Sequence, residues 1–228
     1  VLCASISEVV DVLRVRVASA SERRLAWLVE RFEGVEDVDI FATPLLFDEP
    51  VVKVGIPVCQ QTTDTCLAKA EAAASEVAMA RSIGSEPPDL ILVADTIVED
   101  PDDPNVPLGK PEDAAQATTM LLRLSGTRHR VWSSSAILQP PGRDGEHKLH
   151  GGWTANLWTK SAVVEFDELS QDRLVELVSS GSWQGKAGAY DLAGAAAADA
   201  KLIEGEEVTV LGLAPSAVTA LYNAITSP

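Results

Sequence analysis

Five consecutive apolar residues, Leu90-Ile91-Leu92-Val93-Ala94, stand between the breaker Pro87-Pro88-Asp89 and the polar pair Asp95-Thr96. A short run without polar alternation suits a strand covered on both faces, which requires further layers of structure around it. Asp95-Thr96 is then expected at the carboxyl end of a central strand, where ligands of open α/β sheets bind.

The rest of the chain supplies those layers. Leu13, Val15 and Val17 alternate with Arg14 and Arg16, the period of a strand with one buried face. A Ser turn follows, and Leu25, Leu28, Val29 and Phe32 recur at helical spacing behind Ser21, a natural N-cap, and Glu22, an acid suited to the first turn. Residues 43–63, with Pro44, Pro50 and Pro57, read as loop and short extended pieces, and an Ala-rich helix is expected from Asp64 to about Ile83. A helix is expected to begin at Pro111 and close at Ser125-Gly126. Strands are expected over 129–138 and 153–166, a helix from Ser170 to about Ser180, a hairpin across 203–210 and a last helix over 215–225. The segments 99–108 and 139–152 read as a long acidic loop and an exposed insertion. Helices interleaved with short buried and longer alternating strands favour an α/β or α+β fold with a mixed sheet. With neither an internal repeat nor a long linker, residues 1–228 are expected to form one domain.

Charge narrows the partners. The formal net charge is −16, against the basic surface that nucleic acid or an anionic membrane would need. A few cations gathered in one cleft could still bind a small phosphate compound. No window approaches the ~18 apolar residues needed to span a bilayer, and residues 1–13 lack the pattern of a secretory leader. Cys3, Cys59 and Cys66 form no CxxC pair and His129, His147 and His150 no HExxH pair, so disulfide and zinc frameworks have no support and a cytoplasmic setting is expected.

Common nucleotide motifs are absent. Gly109-Lys110 precedes Pro111 and Gly185-Lys186 precedes Ala187, so neither is a Walker A loop, and there is neither a GxGxxG after a strand nor a GxSxG elbow. Short polar clusters remain. Ser19, Ser21, Arg23 and Arg24 lie at the first strand–turn–helix junction, where free N–H groups and the positive helix end favour an anion. The plainer alternative is a capped helix with solvated Arg side chains. Asp95 could hold a divalent metal or take a proton from water, or equally form an Asx turn with Thr96. Lys110, between Gly109 and Pro111, is a cation on a stiff loop. Lys186 to Tyr190 reads as a close-packed turn whose small residues let another strand or a ligand approach, and Trp153, Trp158 and Trp183 suit core packing or a partner interface better than base stacking.

Taken in order, the segments Ala18-Ser19-Ala20-Ser21-Glu22-Arg23-Arg24, Ala94-Asp95-Thr96, Gly109-Lys110-Pro111, Leu124-Ser125-Gly126 with His129 and Val131, Lys186-Ala187-Gly188-Ala189-Tyr190 and Leu211-Gly212-Leu213 resemble the Maf family of nucleoside triphosphate pyrophosphatases. The resemblance spans about residues 12–226. It implies an α/β fold, similar to that of the inosine triphosphate pyrophosphatases, with an elongated mixed β-sheet flanked by helices and two lobes around a central cleft. It also implies divalent-metal-dependent hydrolysis, with Mg²⁺ or Mn²⁺, of a nucleoside triphosphate to the monophosphate and pyrophosphate, and a possible homodimer. Carried over residue by residue, it assigns phosphate and substrate binding to Ser19, Ser21, Arg23, Arg24, Thr96 and Tyr190. Catalysis falls to Glu49, Lys69, Asp95 and Lys110, with Glu49 and Asp95 as metal ligands.

That assignment agrees with the chemistry. Attack of water on a triphosphate needs a base or metal-bound hydroxide, and cations to neutralise the departing pyrophosphate. One departure stands out. The subgroup acting on dTTP and UTP continues its AGAY motif with Gly-Ile-Gln-Gly, whereas this chain has Asp191-Leu192-Ala193-Gly194, without the Gln amide. The resemblance therefore leaves two readings open: a pyrophosphatase favouring dTTP, UTP or modified nucleotides, and a catalytically impaired nucleotide-binding homologue acting through a protein partner.

Overall fold

The computed structural model describes residues 12–46 and 55–226. One sheet organises them. Strands β1 (Leu13–Val17), β2 (Val38–Ala42), β3 (Leu90–Glu99), β5 (Arg128–Gln139), β7 (Thr154–Phe166) and β6 (His147–Lys148) lie in the order β2-β1-β3-β5-β7-β6, with β4 (Pro107–Leu108) on β3 and β8 (Ala200–Glu204) on β7. β2, β1 and β3 are parallel and the remaining pairs antiparallel, so the sheet is mixed. Helices α1 (Glu22–Arg31), α2 (Val58–Ser82), α3 (Ala114–Leu124), α4 (Gln171–Ser179), α5 (Glu207–Leu211) and α6 (Pro215–Thr226) flank it.

The apolar run of β3 is buried on both faces because successive side chains enter different cores. Ile91 and Val93 pack with Cys66, Ala70, Ala73, Ala74 and Val77 of α2. Leu90, Leu92 and Ala94 pack with Leu28 and Phe32 of the α1 region, Val208 of α5, and Val218 and Leu221 of α6. Beyond Asp95 the strand enters a third core, where Val98 meets Leu121 and Leu124 of α3, Phe166 and Tyr190.

Asp95 therefore lies in mid-strand, not at a strand end, and the Asx turn is excluded by its extended pairing: Asp95 faces Ser134, and Thr96 faces Ser133. Asp alone disfavours a strand, but Thr96-Ile97-Val98 carry it on. The partners of Asp95 and Thr96 are also polar, so a hydrophilic row crosses the sheet between the cores. Ser134 shares a hydrogen bond with Thr159 (2.7 Å), and Thr159 with Thr63 of α2 (2.8 Å).

Several local expectations are corrected by tertiary contacts. α2 begins at Val58 rather than Asp64: Pro57 precedes it, and the hydroxyls of Thr62 and Thr63 donate to the Val58 and Cys59 carbonyls one turn back. α3 starts at Ala114 behind its N-cap Asp113, not at Pro111. The expected 203–210 hairpin is instead β8, a turn at Gly205 (φ +87°) and α5. β8 finds its partner in β7, and Val208 of α5 is drawn into the core. α2 covers the face of β1 that carries Arg16, so Arg16 is buried rather than facing solvent and donates to Glu76 (2.7 Å) and the Thr43 carbonyl. Val29 is exposed, leaving Leu25, Leu28 and Phe32 as the buried stripe of α1. In the 139–152 segment Leu149 is buried against the α2 core, so that segment is anchored rather than wholly exposed. In the acidic loop, the buried Asp100 receives Nε and Nη2 of Arg123 at 2.9 and 2.6 Å. Burial raises that carboxyl, but the Arg123 bonds outweigh it and hold it below the usual carboxylate range.

Candidate active site

A cleft of about 620 Å³ opens over the polar row, lined by the β1–α1 turn, Lys69 of α2, the middle of β3, the Lys110 loop, residues 184–187 and 190–193, and α5. It brings together Ser19, Ser21, Arg23, Arg24, Lys69, Asp95, Thr96, Lys110 and Tyr190. Glu49, with the Phe47-Asp48-Glu49 segment, lies outside the described residues. Among the described residues five cations and four carboxylates line the cleft, so cations are gathered there in a chain whose formal net charge is −16.

At its floor Lys69 Nζ donates to Asp95 Oδ1 at 2.7 Å, with only 10% and 8% of the two side chains exposed. The other carboxylate oxygen, Oδ2, is buried and has no hydrogen-bond partner among the described residues. A buried anionic oxygen without a donor is costly unless something charged or protic meets it. Among the described residues no group of three or more His, Cys, Asp or Glu could enclose a metal ion. Asp95 Oδ2 nevertheless suits a hard divalent cation of the kind held by one or two carboxylates together with substrate phosphates.

Arg24 is clamped from three sides. Its guanidinium donates to Ser19 Oγ (3.3 Å) and Thr96 Oγ1 (2.8 Å) and lies against Gly212. A Cβ on Gly212, whose φ is +111°, would fall 2.6 Å from Arg24 Nε and 2.8 Å from Cζ. Ser133 donates its one hydroxyl proton to the Thr209 carbonyl (2.7 Å), so in the 2.9 Å Thr96–Ser133 bond Thr96 is the donor and it accepts from Arg24. Thr96 thus orients Arg24 and fastens α5 through Ser133. The Ser21 hydroxyl accepts from the Arg24 amide as the α1 N-cap (3.4 Å), and Ser19 Oγ accepts from the Ser21 amide (3.1 Å).

On the opposite wall Arg23 pairs with Asp191, and Lys186 Nζ lies 4.0 Å from the same carboxylate. Burial first, then the Arg23 charge, push the Lys186 ammonium below its ordinary value, against the pull of Asp191. The Lys186–Gly188 turn is tied to the Lys110 loop by the Gly188 amide, which donates to the Gly109 carbonyl at 3.0 Å. Gly188 admits a strand rather than a ligand: at φ +68° an added Cβ would meet Val98 Cγ2 at 2.9 Å.

Tyr190 offers its ring to the cleft, while its hydroxyl bonds His129 Nε2 at 2.9 Å in an edge-on cluster with Phe166. Burial lowers the His129 imidazole to about 4 and raises the Tyr190 phenol, so both are neutral at pH 7. Cys66, beneath the site, is pushed up to about 12 by burial and the Asp95 charge, which rules it out as a nucleophile. Trp153 and Trp183 are core residues, as expected.

Sequence reasoning passed over Trp27 and the role of Asp191, which both line the cleft. Trp27 follows Arg23 and Arg24 by four and three residues, the spacing of one helix face, and could have been found that way. Asp191 had no local signal, because its partner Arg23 is 168 residues away.

Known proteins give the comparison. The family model described as "Maf-like protein" matches residues 14–225. A protein of Ruegeria sp. (strain TM1040) named "dTTP/UTP pyrophosphatase" is 35% identical over 208 residues, 90% of each chain. One of the same name from Pyrococcus furiosus is 32% identical over 200 residues, 88% of this chain and 89% of its own. Among solved structures, a nucleoside-triphosphatase / dITP/XTP pyrophosphatase from Mycobacterium abscessus is similar over 68% of this chain and 73% of its own, at 18% identity and a TM-score of 0.37. With nearly all of its length matched by the family model and by curated relatives at better than 30% identity, this chain belongs to the Maf family.

Proposed function

We propose that this protein hydrolyses a nucleoside triphosphate, with dTTP and UTP favoured, to the nucleoside monophosphate and pyrophosphate, clearing surplus or modified nucleotides from the cytoplasmic pool. The observation that carries the reading is the Lys69–Asp95 pair with its unpartnered Asp95 Oδ2, on the floor of a cleft ringed by Arg23, Arg24, Lys110 and Lys186. The relatives named dTTP/UTP pyrophosphatase support the substrate class.

In this reading the cations hold the phosphate chain and neutralise charge on the departing pyrophosphate, in a partly desolvated cleft where such interactions are strong. Lys69 holds Asp95 in place through its Nζ–Oδ1 hydrogen bond. Asp95 and Glu49 share two tasks: binding Mg²⁺ or Mn²⁺, and orienting the water and accepting its proton as the phosphorus–oxygen bond to pyrophosphate breaks. The metal, when bound, supplies Lewis-acid polarisation of the phosphate oxygens. Ser19 contributes its hydroxyl proton to a phosphate oxygen. Thr96 acts through Arg24, and Tyr190 is a wall held by His129. A homodimer belongs to the same proposal.

Purified protein should release pyrophosphate from dTTP or UTP when a panel of triphosphates is supplied with Mg²⁺ or Mn²⁺. Asp95→Asn and Glu49→Gln should each lower kcat by about 100-fold or more. No turnover of any triphosphate would overturn the enzyme, and nucleotide binding without turnover would favour the impaired homologue, a reading motivated by Ala193.

A further inference from the structure

The cleft contains an anion of its own. Asp191 Oδ1 accepts from Arg23 Nη1 and from the Ala193 amide (3.1 Å), and Oδ2 lies 4.0 Å from Lys186 Nζ. The Asp191 side chain is 12% exposed and stands on the cleft wall, not on the outer surface. One carboxylate thus lies within reach of two cations that a phosphate chain would need.

It serves Arg23 incompletely. Arg23 Nε is buried and has no hydrogen-bond partner among the described residues, so Asp191 uses one arm of a guanidinium fork built to give two parallel bonds. A phosphate group has three terminal oxygens and more charge. It can engage Nε and Nη together while a second phosphate reaches Lys186. Asp191 also repels any anion placed there, because like charges brought together in a partly desolvated site are poorly screened.

We propose that Asp191 is an affinity-determining residue that acts as an internal counter-anion: it occupies the Arg23–Lys186 seat in the unliganded protein, a polyphosphate must displace it, and its return weakens the hold on pyrophosphate. The inference rests on reading the cleft as a phosphate site. The displacement costs substrate and pyrophosphate the same factor, but substrate has contacts elsewhere in the cleft to offset it, whereas pyrophosphate has the phosphate seat alone and is left weakly held.

The test is titration calorimetry of the full chain with inorganic pyrophosphate, which requires no turnover. Asp191→Asn, nearly isosteric, should bind pyrophosphate about tenfold more tightly or better than wild type, with a steeper loss of affinity as salt rises from 0.05 to 0.3 M. Asp191→Ser should gain in the same direction, which guards against a folding defect peculiar to the amide. Adding Arg23→Gln to Asp191→Asn should remove most of the gain. Equal or weaker binding by both Asp191 variants, folded by circular dichroism, would overturn the proposal. A gain in pyrophosphate affinity in a protein that cleaves no triphosphate would sustain this inference and sink the proposed activity. Turnover of dTTP by wild type with no gain in either variant would do the reverse.

Discussion

Replacing Lys69 with Met removes the hydrogen-bonded counter-ion that Asp95 has among the described residues, while keeping the length and apolar stem of the side chain. Asp95 is 6% exposed, its Oδ1 lies 2.7 Å from Lys69 Nζ, and its Oδ2 has no partner among the described residues, so the variant leaves a buried carboxylate with neither oxygen bonded to a side-chain donor among them. Breaking a buried pair from one side costs about 3–5 kcal/mol, because the remaining charge keeps its desolvation penalty and loses its attraction. For a chain of this size each kcal/mol shifts Tm by about 2–4 °C, so Lys69→Met should melt roughly 6–20 °C below wild type. Removing the second charge as well separates this cause from loss of packing. Lys69→Met/Asp95→Asn should recover at least half of the loss, and Asp95→Asn alone should not add to Lys69→Met as an independent change would. Scanning calorimetry of the four proteins at pH 7.5 makes the measurement. A Lys69→Met protein melting within about 2 °C of wild type, or a double variant no more stable than Lys69→Met, would refute the claim that the pair holds the cleft floor together.

Two further outcomes follow from particular contacts. Gly212→Ala should cost about 1–2 kcal/mol from its left-handed backbone alone and also push Arg24 off its seat, since the new Cβ would lie 2.6 Å from Arg24 Nε. Tm should therefore fall by a few degrees while the KM for dTTP rises, and wild-type values for both would contradict the clamp. His129 concerns pH: its folded value of about 4 lies below its ordinary 6.5, so between these limits the unfolded chain takes a proton that the folded protein refuses. Stability is therefore intact above pH 6.5 and lost as pH falls toward 4, by up to roughly 3 kcal/mol. Urea unfolding at pH 7.5, 5.5 and 4.5 should show that slope in wild type, with a flatter acid limb in His129→Phe. An identical limb would place the acid sensitivity elsewhere.

The elements of the site were legible in the residues, but their functions within it were only partly so. Ser21 as a helix cap, the adjacent Arg23 and Arg24 and the strand leading to Asp95 follow from local pattern, and all lie where that pattern places them. Thr96 shows the limit. Its polar neighbour suggested a turn or a ligand contact, yet its hydroxyl is committed to Arg24 and Ser133, residues 72 and 37 positions away. No local spacing encodes such a bond.

Sequence by itself determined the mixed α/β class, the buried run of β3, several of the element boundaries and the adjacent Arg23 and Arg24 at the β1–α1 turn. Hydrophobic period, caps and turn residues act between neighbours a few positions apart, and those interactions survive in isolation. Only the tertiary structure decided where β3 stops, that α5 replaces a hairpin, that Gly188 yields to Val98 rather than to a ligand, and that Asp191 reaches Arg23. Each depends on what a distant segment offers: a polar strand across from Asp95, a core for Val208, an unsatisfied guanidinium beside Asp191. Burial and charge compensation are properties of a place in the fold, and that place exists only once the sheet has assembled.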